Sequence, residues 1–306
     1  MTAIVILGMH RSGTSAITRA LNLLGAEIGP TADLGQYWES QRMRVPLDAV
    51  LAAFDGAWDA PGVMPEGWER TAAVRAVEPQ ARAALAAYGE PEVMVWKDPR
   101  ACLEMPFWRP LLGGDPVVVL IHRHPEEVWG SLDTRNGFGP GLSFALWERY
   151  NADALRGAAG LRTVVLAYGD LVERPVEVTT GLVATLAGWG VHLPGDPATT
   201  DMELRADARH HRAAATFDHP SATASQRRLF AALAGAEGVH DSFVAPTIDP
   251  PDPSSVELID MRRQLRAVRQ DLWRSRTAYR RLAGSRRNLL AKVLRPERGA
   301  ADPGIA

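Results

Sequence analysis

The segment Ile4-Val5-Ile6-Leu7-Gly8-Met9-His10-Arg11-Ser12-Gly13-Thr14-Ser15 most constrains what this chain can fold into. It reads as a short buried strand, a loop bracketed by Gly8 and Gly13, and the start of a helix over Thr14–Leu24. Such a loop converges several backbone N–H groups on one point. The helix N-terminus adds the positive end of its dipole, so the expected product is an anion site suited to a phosphate. The candidate binding residues are Gly8, His10, Arg11, Ser12, Gly13, Thr14 and Ser15.

The two glycines have the spacing of the nucleotide-binding loop G-x-x-x-x-G-K-[ST], but Thr14 stands where that loop carries its lysine. The cation that serves the outer phosphates of a triphosphate is therefore missing, and Arg11 is the nearest substitute.

Three further apolar runs, Val93–Trp96, Val117–Ile121 and Thr163–Ala167, join Ala3–Leu7 as expected strands. Helical patterns are expected at Thr71–Tyr88, Pro125–Thr134 and Arg174–Gly188. Strands alternating with helices predict an α/β fold, a parallel sheet flanked by helices. Ligands in such sheets lie at the carboxyl ends of the strands, where the motifs of this chain fall.

One cysteine, Cys102, excludes an intrachain disulfide and fits a reducing cytoplasm. No basic n-region followed by an apolar stretch opens the sequence, and no run reaches the length of a spanning helix. The expected location is cytoplasmic, or peripheral to a membrane through the tail. The net charge of −2 hides an asymmetry: residues 254–298 carry +9 and the remainder −11. The expected organisation is a domain over 1–245, a proline-rich linker over 246–255 and a basic helical tail over 256–306 with a disordered end. Apolar residues Leu258, Met261, Leu265, Val268, Leu272, Tyr279, Leu282 and Leu289 recur there at helical spacing. This basic amphipathic helix suits either a short coiled coil giving a homodimer or an anionic membrane surface. Nucleic acid is disfavoured by the acidic body and the lack of a base-reading motif.

The second informative segment is Val117-Val118-Val119-Leu120-Ile121-His122-Arg123, followed by a helix bearing Ser131 eight positions after Arg123. An arginine fork with a hydroxyl suits a terminal phosphate. With these residues in view, the chain resembles the sulfotransferases that use 3′-phosphoadenosine 5′-phosphosulfate (PAPS). Residues 8–15 resemble that family's 5′-phosphosulfate loop, and Arg123 with Ser131 its 3′-phosphate site. Tyr168-Gly169-Asp170-Leu171 resembles its adenine-holding segment, with Gly169 in place of the usual glutamate. Gly35–Glu39, Trp96–Arg100 and Leu146–Asn151 are similar to segments of bacterial members, and the matches fall in the family's order over residues 1–215.

The resemblance implies the family's P-loop NTPase-like fold and transfer of a sulfuryl group from PAPS to a hydroxyl or amine, releasing 3′-phosphoadenosine 5′-phosphate (PAP), with no metal. Arg11 occupies the position of the family's usual lysine and would act electrostatically. Glu39 is the first choice of general base. Glu39 reads equally well as a carboxylate at a helix N-terminus; Asp98 and His10 are its rivals, Asp98 also reading as a salt-bridge partner of Lys97 or Arg100 and His10 as a simple donor contact. Pro194–Ala224 reads as a long polar loop near a site, and its Arg209-His210-His211-Arg212 would close over the 3′-phosphate or simply be solvated. The competing classes are a P-loop nucleotide-dependent kinase or NTPase, and a non-catalytic nucleotide-binding member of the fold. Carbohydrate, lipid, peptide and small-metabolite acceptors all stay open. Trp58, Trp68, Trp108, Trp129 and Trp147 suit either ring stacking or core packing.

Overall fold

The computed structural model describes residues 2–30, 33–35, 37–201 and 216–293. Strands β1 (Thr2–Leu7), β2 (Val93–Lys97), β3 (Val117–His122) and β4 (Thr163–Ala167) run parallel, and β5 (Gly238–His240) adds antiparallel to β4. The order across the sheet is β2-β1-β3-β4-β5. From β1 the chain crosses to one side to form β2 and returns to the other to form β3. The crevice beyond the carboxyl ends of β1 and β3 is thus the topological switch point, where α/β sheets bind ligands.

Both faces of the sheet are covered, which is why β1, β2 and β3 are apolar along their length except at the ends, Thr2, Lys97 and His122. Ile4 and Ile6 of β1 face Ile17 and Leu21 of α1 (Thr14–Leu23), together with Leu171 of α8 (Tyr168–Glu173) and Leu182 of α9 (Pro175–Gly188). Val5 and Leu7 face the other layer. It comprises α2 (Gln41–Ala52), α4 (Glu78–Ala86), α5 (Ala101–Leu111), α6 (Pro125–Asn136), α7 (Pro140–Ala158) and α10 (Ala224–Gly235). Each large aliphatic side chain buried here contributes about 1.5–3 kcal/mol. The expected strands are present, each within one residue of its expected end.

The helical expectation over Thr71–Tyr88 divides into α3 (Ala72–Arg75) and α4, because Pro79 restarts the helix in the first turn of α4. Pro46 lies inside α2, and Pro106 and Pro110 inside α5, which masked both helices in the sequence. The tail forms one helix, α11 (Pro253–Val293), whose start lies inside the expected linker. Its first turns are part of the body. Ile259 is buried, the Ser255 hydroxyl accepts from Gln226 at 3.0 Å, and Arg262 and Arg266 both reach the buried Asp59. The described start of the expected polar loop, Pro194-Gly195, packs on Leu24 and Gly25 at the far end of α1 from the strand tips. Its described end, Phe217 and His219, packs on Phe144 of α7. Arg209, His210, His211 and Arg212 lie outside the described residues. Among the described residues, no helix is long and apolar enough to cross a membrane.

Candidate functional site

A cavity of about 870 Å³ opens at the tips of β1, β2 and β3. Its lining includes six cations, Arg11, Arg44, Lys97, Arg100, Arg123 and Arg135, against two carboxylates, Glu39 and Glu127. That surplus makes it a site for a multiply charged anion.

The loop after β1 supplies one wall. Arg11 holds a left-handed backbone (φ 71°) and Gly13 another (φ 91°), which turns the chain from strand into helix over a few residues. His10, Arg11, Gly13, Thr14 and Ser15 line the cavity, and the N-terminus of α1 opens onto it. Gly8 and Ser12 do not line it. The Gly8 N–H donates to Cys102 Sγ at 3.1 Å, and a Cβ there would stand 2.4 Å from the Ile121 carbonyl oxygen. Gly8 therefore serves the close approach of β1 to β3 rather than ligand contact. The Ser12 N–H closes the turn onto the Met9 carbonyl, and its hydroxyl is buried without a partner among the described residues. Burial pushes the Cys102 thiol up to about 12, so it is a packed thiol and not a nucleophile.

The loop after β3 supplies the second wall. Arg123 Nε donates to Glu127 at 2.6 Å and its Nη1 to the Arg11 carbonyl at 3.2 Å, while Trp147 Nε1 fixes the Arg123 carbonyl at 3.1 Å. Ser131 faces the same cavity, but its hydroxyl accepts from Arg11 Nε at 2.7 Å. The expected Arg123–Ser131 pair is thus bridged by Arg11. Glu127, Ser131 and Arg135 form an i, i+4 row on α6 that continues from Arg123. Glu127 and Arg135 were missed in the sequence, although this periodicity marks them. Tyr168, at the start of α8, lays its ring over Gly13 and over the Arg123 guanidinium, 4.4 Å from the ring centre.

The third wall distinguishes the candidate bases. Lys97 Nζ donates to Glu39 Oε1 at 2.9 Å and to the Tyr37 carbonyl at 2.6 Å, and the Ser15 hydroxyl donates to that same carbonyl at 3.0 Å. Residues 37–39 are thereby tied across the start of α1, with the Glu39 carboxylate in the cavity. Burial pulls the Lys97 ammonium below its ordinary range although Glu39 opposes this. Asp98 does not line the cavity. Both its oxygens accept from the Arg100 guanidinium, at 2.8 and 2.7 Å, so it is a buried salt-bridge partner.

His10 packs against Trp58 (centroids 4.7 Å) and Tyr150 (5.4 Å), and its Nε2 has no partner among the described residues. Burial first, then Arg100 and Arg135, pushes its imidazole well below the ordinary 6.5, so it is neutral. The unfolded chain takes up this proton below about pH 6.5 and the folded protein resists it, so stability falls as pH drops through that range. His10→Phe is expected to flatten that loss in thermal melts between pH 7 and 5. Of the tryptophans, Trp58 lines the cavity, while Trp68, Trp108 and Trp147 are buried in the core. Among the described residues, no group of three or more His, Cys, Asp or Glu is placed to hold a metal.

No protein-family model and no curated protein matches this chain. Among solved structures it is similar to the sulfotransferase domain of the Synechococcus PCC 7002 olefin synthase. The identity is 16% and the TM-score 0.38, over 85% of this chain and 94% of that one. That likeness is too distant to carry chemistry from one protein to the other.

Proposed function

We propose that this protein transfers a sulfuryl group from PAPS to a hydroxyl or amine acceptor and releases PAP. The observation that carries the reading is the meeting, in one cationic cavity, of the loop after β1 and the Arg123–Ser131 segment after β3. These were two separate stretches of sequence with independent resemblance to the two phosphate sites of sulfotransferases. The residues suit the donor: a helix N-terminus and Arg11 for the phosphosulfate, Arg123 and Ser131 for the 3′-phosphate, and the Tyr168 ring for the base.

The donor supplies a sulfuryl group whose bond to the phosphate oxygen breaks as the acceptor oxygen or nitrogen bonds to sulfur. Arg11, in the loop assigned to the phosphosulfate, would offset the negative charge that grows on the departing oxygen without giving up a proton. Glu39 receives the acceptor's proton, with Lys97 holding its carboxylate in place. Asp98 and its paired Arg100 act as scaffold for that wall.

Calorimetry with PAP, and with ATP plus Mg²⁺ as control, tests the reading. Metal-independent PAP binding is expected. Arg123→Ala should weaken it by roughly 10- to 100-fold, the worth of charge-assisted hydrogen bonds to a phosphate. Binding of ATP with Mg²⁺ but not of PAP would overturn the reading in favour of a nucleotide kinase. With an acceptor in hand, Glu39→Gln is expected to lower kcat by about 10²–10⁴-fold while PAP affinity is retained. An unchanged kcat would remove Glu39 from the base role.

A further inference from the structure

The helix α11 leaves the body after Arg266 and continues to Val293, about 40 Å at 1.5 Å per residue. Helices that stand alone in water draw little stability from propensity, and one that exposes an apolar stripe requires a surface to bury it. That stripe is Met261, Leu265, Val268, Leu272, Tyr279 and Leu282, from 43% to 74% exposed. The stripe begins while the helix still lies on the body. There the body takes Ser255, Ile259 and Arg266, which point about a quarter of a turn or more away from Met261 and Leu265, and Arg262, which lies on the flank about a sixth of a turn from Leu265, while Met261 and Leu265 themselves stay 56% and 43% exposed. The contact with the body therefore leaves the stripe open along its whole length.

The spacing of the stripe alternates between three and four residues, with Ser275 at the one position where it is polar. That is the seam of a two-stranded coiled coil rather than the broader face of a helix packed in a core. The flanks choose the occupant. The positions next to the seam are Gln264, Asp271 and Ala278 on one flank, and Arg262, Arg269 and Arg276 on the other. A helix lying on an anionic membrane has cations along both flanks. A parallel, in-register copy instead places Gln264 opposite the copy's Arg269, and Asp271 opposite its Arg276, twice over by the two-fold symmetry. The remaining arginines, among them Arg263, Arg274 and Arg281, fall on the outer side, where salt screens their mutual repulsion.

We infer that α11 is a dimerisation helix, pairing with a second copy of this chain as a parallel coiled coil along the Met261–Leu282 seam. Sedimentation equilibrium of the full chain should give a dimer whose association strengthens, or at least persists, from 0.05 to 0.5 M salt. The double variant Leu265→Asp/Leu272→Asp should be monomeric and keep the thermal transition of the body. Asp271→Arg should raise the dimer Kd about tenfold, and adding Arg276→Asp in the same chain should restore it, because the exchanged charges meet again only in the parallel register. A chain monomeric at every concentration overturns the inference. So does a dimer indifferent to Leu265→Asp/Leu272→Asp. A monomer that binds phosphatidylglycerol vesicles at low salt and leaves them at 0.5 M also overturns it, in favour of a membrane surface.

Discussion

Gly13→Ala should abolish measurable PAP binding and lower the melting temperature by about 5–15 °C, the equivalent of roughly 2–5 kcal/mol in a domain of this size. Two independent costs combine. The backbone at Gly13 is left-handed, with φ 91°, where an L side chain is strained. The added Cβ would also stand 2.1 Å from Tyr168 Cδ2, inside the ring that covers the loop. Either the loop after β1 or Tyr168 must move, and both line the cavity. Gly13→Ala/Tyr168→Ala separates the two costs: it removes the clash and keeps the strain, so part of the stability should return. Gly169→Ala is the matched control. A Cβ there meets nothing within 4 Å among the described residues, and its position in α8 makes alanine neutral or stabilising by up to about 1 kcal/mol. Equal melting temperatures for wild type and Gly13→Ala would show that the loop does not depend on this backbone.

The second large effect is expected far along the chain from the cavity. Asp59 is 2% exposed, and its two oxygens accept from Arg262 Nε at 3.0 Å and Arg266 Nη1 at 2.6 Å. Arg262→Ala/Arg266→Ala leaves a buried carboxylate without its cations. A loss of about 3–5 kcal/mol is expected, most of it a desolvation penalty rather than a lost attraction. The triple variant with Asp59→Ala should recover a large part of that loss, since it removes the uncompensated charge. The damage should also reach the cavity. Trp58, the neighbour of Asp59, lines it, packs on His10 and accepts at its carbonyl from the Tyr150 hydroxyl at 2.7 Å. Arg269→Ala, on the same helix beyond the body, should leave the melt of the body unchanged. Chemical denaturation of these three variants and the wild type checks the ordering. Equal stability of Arg262→Ala/Arg266→Ala and wild type would mean that the first turns of α11 are not part of the folded body.

The two walls of the cavity were legible in the sequence because each is a local event. A strand end, a residue that sets the turn (Gly13 after β1, Pro125 after β3) and a helix start lie within a dozen residues, and local sterics decide their shape. The third wall was legible only as a pair of rivals. Glu39 and Asp98 are both acidic and near a strand or helix end. Which one faces the cavity depends on Lys97 and Arg100, at the end of β2 and in its following loop: Lys97 holds Glu39 at 2.9 Å, whereas Arg100 is taken up by Asp98 at 2.7 Å and reaches Glu39 only at 3.8 Å. No periodicity encodes that choice. Helices α2 and α5 escaped the pattern because proline interrupts them, and β5 because three residues carry no period.

The sequence by itself determined the parallel sheet, the anion loop at the tip of β1, the arginine after β3 and the amphipathic character of the tail. Each follows from side-chain period or from a backbone requirement within a few residues. Only the tertiary structure decided that Arg11 bridges to Ser131, that Gly8 serves strand packing while Gly13 receives Tyr168, and that Asp98 is locked to Arg100. It alone joined the first turns of α11 to Asp59, across some 200 residues of chain. These are contacts between segments distant in sequence. Their partners are chosen by how the two layers pack on the sheet, and no local preference of either partner specifies the other.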